Sequence, residues 1–443
     1  MGIVRRWIAP QERHQPWAEW ARQHHRRLDD TTSVDEFVER YGDARIIMLG
    51  EATHGTAEFY EWRRWLSQRL IDEKGFSFLC VEGDWPDCYA VNRYVKHFRD
   101  AGVSAYNVLH DFKRWPAWMW ANLEVVRLAE WLRVRNDAVP MHDRVGFYGL
   151  DVYSLWDSLD VVVDYLRKHV PERLEAARRA VACFEPYGHD IQAYARATAL
   201  VPRSCEREVT ALLSEVRGSR EAFADGAEGF FDAEQNALIA RNAEHYYRAM
   251  VRGGPQSWNV RDTHMMETLE RLLAFHGPDS KAIVWAHNTH VGDARATDMA
   301  QSDMVNLGQL ARERFGADDV ALIGFGTHHG SVIAGDEWGA PMRRMTVPEA
   351  RRGSFEDAFA GLPPALMFLE PARDEPELLE ALGHRAIGVV YRPRWESPYQ
   401  YVPTVLPLRY DAFIHVPVTS ALHPLHLPPR PDEELPETYP FGE

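Results

Sequence analysis

Glu51 and His54 stand three residues apart, just past the apolar run Ile46, Ile47, Met48, Leu49 and its bounding Gly50. Such a run reads as a buried strand. An imidazole beside a carboxylate at its end can take a proton from water, the carboxylate fixing the ring's tautomer and raising its pKa. Four more apolar runs stop in the same way: 76–81 at Glu82, 145–150 at Asp151, 282–286 at His287, and 320–325 shortly before His328 and His329. Open α/β sheets bind ligands outside the carboxyl ends of their strands, so the pattern predicts one site along one sheet edge. His54 is the expected base, with Glu51 and Glu82 tuning it. Arg63, nine residues beyond His54, is expected to pair with Glu82 or hold a substrate oxygen. His287 and His290 are expected to polarise a carbonyl or protonate a leaving alkoxide.

The reaction class follows from what is missing. No Gly-x-Ser-x-Gly, His-Glu-x-x-His, Walker loop or Gly-x-Gly-x-x-Gly occurs; Gly324, Gly326 and Gly330 have the wrong spacing. Water is therefore the expected nucleophile and no cofactor is called for. A metal-dependent hydrolase is a rival reading, because His287-x-x-His290 together with His54 and Glu82 offers enough ligands for zinc. A protein that binds a small molecule, or assists in making one, without hydrolysing anything is another. The segment 110–120 crowds Phe112, Trp115, Trp118 and Trp120 around Pro116, either as packing or as the wall of an apolar pocket. Trp85, Trp115, Trp118, Asn288 and Arg261 are the expected substrate contacts.

The chain has 443 residues, more than one ordinary domain, and 50 basic against 66 acidic residues give a net charge of −16. That balance argues against a nucleic acid or an anionic membrane as the main partner and favours a small-molecule substrate. No run approaches the length of a membrane span, and residues 1–17 lack the core of a signal peptide. The four cysteines form no Cys-x-x-Cys pair and no Asn-x-Ser/Thr sequon occurs, so the expected location is cytoplasmic.

These residues need a mostly parallel α/β sheet flanked by helices. Residues 17–41 read as one or two outer helices, with Ser33 as an N-cap. Residues 55–71 read as the helix after the first strand, its N-terminus offering N–H groups to an anion. A helix after Pro86 and others over 122–132 and 259–273 follow. Between 158 and 248 the pattern is helical without a strand signal, which predicts a helical insertion, possibly a cap, over 158–258 between two parts of an α/β body, 1–157 and 259–443. Runs 366–369, 387–391 and 413–414 are expected to extend the sheet, and the proline-rich tail from His423 to be extended or disordered.

Several segments in order resemble the erythromycin esterase family: Gly50 to His54 with Glu58, Phe59 and Arg63, Val81-Glu82-Gly83, Phe147 to Asp151, Arg261-Asp262 with Met265, Trp285 to Asn288 with His290, and Gly324-Phe325. They span roughly residues 40 to 420. The resemblance implies an α/β fold with a helical subdomain, a deep cleft, and metal-independent hydrolysis by a histidine-activated water. By position, His54 resembles the family's general base, and Glu51, Arg63, Glu82, His287 and His290 match positions important for activity. The family's antibiotic-resistance enzymes open a macrolide lactone. Residues 83–87 and 112–120 set this chain closer to the family's broad, poorly characterised branch. The expectation is a carboxylic-ester hydrolase acting on an ester or lactone.

Overall fold

The computed structural model describes residues 14–28, 34–188, 191–200, 204–220, 227–396 and 400–426. Ser33 and the tail beyond residue 426 lie outside the described residues. In chain order the strands are β1 (Arg26–Arg27), β2 (Ile46–Leu49), β3 (Phe78–Asp84), β4 (Gly146–Asp151), β5 (Ala282–Trp285), β6 (Val320–Ala334), β7 (Arg343–Val347), β8 (Ala365–Phe368), β9 (Leu382–Arg385), β10 (Tyr401–Thr404) and β11 (Ala412–Thr419). One sheet runs β1-β8-β11-β6-β2-β5-β3-β4, with β7 attached to β6. Its centre, from β11 to β4, is parallel throughout. β8 and β7 join antiparallel, and β9 pairs with β10 in a separate ladder.

Both faces of the parallel strands are buried, which is why they read as unbroken apolar runs. Alternate side chains enter different cores. Ile47, Leu49, Leu79, Val81, Ile283 and Ile323 pack under the helices Ala57–Lys74, Trp85–Val95 and Leu123–Asp137. Ile46, Met48, Cys80, Val284 and Leu322 pack under Gln256–His276 and Leu307–Phe315. Gly75, at φ 70°, ends the helix Ala57–Lys74 in the left-handed conformation that favours glycine. Asn122 caps the helix Leu123–Asp137, its side chain accepting from the Val125 N–H at 2.8 Å.

Among the described residues, five α-helices lie between Leu155 and Arg252 and no strand forms there. They bury a core of their own, with Leu159, Leu166, Leu212, Leu238 and Tyr247 among its members.

Three expectations are corrected. β6 does not stop before His328 and His329 but carries both, because β11 pairs with it in parallel as far as Gly330, from where β7 pairs with it to Ala334. Residues 387–391 form only isolated bridges, Ile387 to Thr53 and Val390 to Gly335. The N-terminus of the helix Ala57–Lys74 is not open to an anion: the Ala57 N–H donates to the Ser420 carbonyl at 2.9 Å, and Glu58 turns back to accept from the Ser420 N–H at 2.8 Å. No described helix is long and apolar enough to cross a membrane.

Cys183 and Cys205 form a disulfide inside the helical segment, 22 residues apart, which nothing in their spacing had indicated. A bridge closing a loop of this size stabilises by roughly 3 kcal/mol. Calorimetry is therefore expected to give a lower melting temperature in strong reductant, and for Cys205→Ser, than for the oxidised protein. Equal melting temperatures in oxidant and reductant would show that the bridge is absent in solution.

Candidate active site

The loop after β2 is drawn tight by a neighbour. Asn288 donates through Nδ2 to the Phe325 carbonyl at 2.7 Å and accepts from the Phe325 N–H at 3.2 Å, so its amide clips the start of the β5 loop to β6. A Cβ on Gly50 would lie 2.1 Å from Asn288 Oδ1, so only glycine fits where β2 passes this clip. The chain then turns and presents Glu51 and His54.

Glu51 is held at both oxygens. Oε1 accepts from His54 Nδ1 at 2.9 Å and Oε2 from Arg63 Nη2 at 2.6 Å. Arg63 has no exposed surface; its guanidinium lies 4.2 Å from the Tyr60 ring centroid and 4.8 Å from that of Trp285. The Tyr60 hydroxyl reaches back to the His54 carbonyl at 3.0 Å. Arg63 therefore holds Glu51, and Glu51 holds the imidazole. It neither pairs with Glu82 nor reaches a substrate oxygen, because the helix Ala57–Lys74 delivers it from beneath the loop.

A second network meets at Glu82 in β3. Its Oε2 accepts from the His287 backbone N–H at 2.8 Å, and its Oε1 from Arg261 Nη2 at 2.6 Å. His290 Nε2 lies 3.3 Å from the same Oε1. Arg261 also binds Asp151, Nε to Oδ1 at 3.0 Å and Nη2 to Oδ2 at 2.7 Å. Behind them, His290 Nδ1 meets both oxygens of Asp262, at 2.9 and 3.0 Å. Burial opposes ionisation of Glu82, yet His290, then Arg261 and His54, hold its carboxyl well below the usual range. Burial likewise opposes a charge on His290, but Asp262 and then Glu82 push it up to about 10.

His287 is different. Burial first, and His54 next, hold it well below the usual histidine value. Its Nδ1 accepts from the Thr289 N–H at 3.3 Å, which leaves the proton of the neutral ring on Nε2. The ring packs beside His54, centroids 4.8 Å apart.

Beside these networks lies a cleft open to solvent, lined at its base by His54, Glu82, Asp151 and Arg261. Phe112, Trp115, Met119 and Trp120 form an aromatic wall, joined by Trp338 from the β6–β7 connection and by Tyr246 and Trp258 from the helical side. Trp115 is fixed there, its Nε1 donating to the Ala340 carbonyl at 2.9 Å.

Of the expected contacts, Trp115 and Arg261 line the cleft and three residues do not. Trp85 stacks on Tyr89 and Tyr148 and donates to Asp232; Trp118 is buried in the core beneath the wall; Asn288 is the clip described above. His287 and His290 are packed behind His54 and Glu82, so neither faces the cleft. Missed in the sequence were Asp84 and Arg114, a contacting ion pair, and Asp87, Tyr153, Tyr246 and Trp338. The run Asp84 to Asp87 directly after Glu82 was a usable signal; Tyr246 and Trp338 carried none.

The rival ligand set does not converge. Both His290 nitrogens face other groups, Nδ1 of His287 is taken by Thr289, and no group of three or more His, Cys, Asp or Glu side chains among the described residues is placed to hold a metal.

The erythromycin esterase family model matches residues 71–419. The chain belongs to the erythromycin esterase family. The match begins after the Glu51–His54 loop, so that loop's role rests on its geometry. Erythromycin esterase type II of Escherichia coli is 23% identical over 342 residues, covering 72% of this chain and 79% of that one. A protein of known structure from Bacillus cereus superposes with TM-score 0.76 at 18% identity, over 93% of this chain and 98% of the other. A histidine-to-asparagine variant of an erythromycin esterase, in its open conformation, gives TM-score 0.66 at 17% identity over 88% and 94%. The structural likenesses show a shared erythromycin esterase fold, and family membership makes the chain a hydrolase at that level.

Breaking a buried ion pair from one side costs about 3–5 kcal/mol, because the other charge stays buried. Glu51→Gln is expected to lower the denaturation midpoint by that measure, and Glu51→Gln with Arg63→Met to recover part of the loss. A double variant less stable than Glu51→Gln alone would contradict the pairing.

Proposed function

We propose that this protein hydrolyses an ester or lactone with a water activated by His54. The observation that carries the reading is the His54 Nδ1 contact with Glu51, itself fixed by Arg63, at the floor of an aromatic cleft. A proton on Nδ1 shared with Glu51 makes Nε2 the basic nitrogen. His54 takes a proton from water as the oxygen adds to the carbonyl carbon. The imidazolium so formed is stabilised by Glu51 and by Glu82. The tetrahedral intermediate then breaks its C–O bond to the alcohol, and the proton returns from His54 to the departing oxygen. The products are an acid and an alcohol, or one hydroxy acid from a lactone.

Of the two arginines that line the cleft, Arg261 and Arg114, we assign Arg261, beside Glu82, to face the oxyanion, the role that the sequence had assigned to Arg63 and His287. His290 is too deep to assist the leaving group. The cleft's aromatic walls favour a substrate with an extended apolar face, and a macrolide ring is of that class. Resistance to such an antibiotic belongs to the same proposal. A cytoplasmic location is consistent with it only if Cys183 and Cys205 are held reduced there.

Mass spectrometry of macrolides and simpler lactones incubated with the protein is expected to show a gain of one water. With His54→Asn the rate should fall by about two to four orders of magnitude, the usual scale for losing a general base. Full turnover by His54→Asn on a genuine substrate would refute the mechanism; tight binding without hydrolysis would replace it with a binding role.

A further inference from the structure

His290 does not itself line the cleft, yet charged groups surround it. Asp262 and Arg261 face it from the helix Gln256–His276, Glu82 from β3, and Asp151, through Arg261, from β4. His287 lies three residues earlier on its own segment and packs against His54, which is near enough to Glu82 to lower its pKa. Trp258 stacks flat on the ring, 4.5 Å away and tilted by 5°. Three buried carboxylates, Glu82, Asp151 and Asp262, thus meet one guanidinium.

Two proton arrangements compete at His290 Nε2. Arg261 Nη1 lies 3.1 Å from it, a contact that suits a neutral ring accepting there. Glu82 Oε1 lies 3.3 Å away, a contact that suits a protonated ring donating there. Charge decides between them. A neutral ring leaves two uncompensated negative charges out of water and an imidazolium leaves one, and burying unbalanced charge is the expensive choice. Asp262 enforces the charged form: both its oxygens are on Nδ1, and Oδ1 is itself anchored by the Leu307 N–H at 2.8 Å.

We propose that Asp262 is a positioning residue: by holding His290 as an imidazolium behind Glu82, it keeps the Glu82 charge from trapping a proton on His54. The effect runs along Asp262, His290, Glu82 and His54. Without the imidazolium, Glu82 would attract the His54 proton more strongly, and the base would be released only at higher pH. This role rests on His54 being the base. The charge of His290 does not, and the two can be measured apart.

The test uses ¹⁵N-histidine-labelled full-length protein, with His290→Gln and His54→Asn assigning the two rings. Long-range ¹H–¹⁵N spectra are expected to show His290 protonated on both nitrogens between about pH 6 and 9, where a free histidine would titrate. In Asp262→Asn the carboxylate on Nδ1 is lost while Glu82 stays beside Nε2, so the His290 midpoint should fall and a neutral ring should appear within that range; where it does, the His54 midpoint should rise by about one unit or more, tenfold in proton affinity. The rising limb of the pH–rate profile should move with it, kcat at neutral pH falling about tenfold and KM staying unchanged. Asp262→Glu should restore the charge and most of the rate. A neutral His290 in the unaltered protein overturns the proposal, and needs no variant to fold. An unshifted His54 midpoint in folded Asp262→Asn overturns it as well. If the unaltered protein turns over no ester, the hydrolase reading fails while the coupling of the two rings is still read from the spectra.

Discussion

A carboxylate sealed at the end of a parallel strand has to be neutralised, and around Glu82 much of the site is built to do so. Its two oxygens gather the His287 amide, the Arg261 guanidinium and the His290 ring from two separate segments of chain. These contacts tie together the β5 loop, the helix Gln256–His276 and, through Asp151, the end of β4. Because isolated buried charge is so unfavourable, these groups are forced into one arrangement.

The same logic operates in miniature at Glu51. Arg63 is buried between two aromatic rings and answers to one carboxylate, so the carboxylate cannot turn away from His54. The cleft therefore has a floor of two interlocked ion networks, with His54 at the border between them. Its walls come from elsewhere in the chain: the 112–120 segment, the β6–β7 connection and the helical side. A rigid charged floor with aromatic walls suits a reaction whose chemistry is constant and whose substrate is chosen by the walls.

Much of this was legible before folding. Apolar runs ending in Glu51, Glu82, Asp151 and His287 marked both the strands and the edge, because a strand buried on both faces leaves polar residues only at its ends. The helix after β2, its glycine stop, and the strand-free stretch before β5 were readable from period and spacing. The side chains' directions were not. Arg63 looked like a substrate ligand until the helix placed it under the loop, and Trp85, Trp118 and Asn288 looked like cleft residues until packing turned them inward. β6 was cut short because its continuation pairs with β11 as far as Gly330 and with β7 beyond, partners that the pattern of β6 does not reveal. The disulfide depends on two helices coming together.

By itself, then, the sequence determined the layers, the edge at which ionisable groups collect, the family's ordered segments, and the pairing of His54 with Glu51. These depend on local period and on neighbours a few residues apart. Only the tertiary structure decided which cation serves which carboxylate. It drew Arg261 into the cleft, sank His290 against Asp262, and brought Trp338 and Tyr246 to the walls. Those outcomes come from contacts between residues far apart in the chain, where burial, charge balance and shape are settled together and no local pattern carries them.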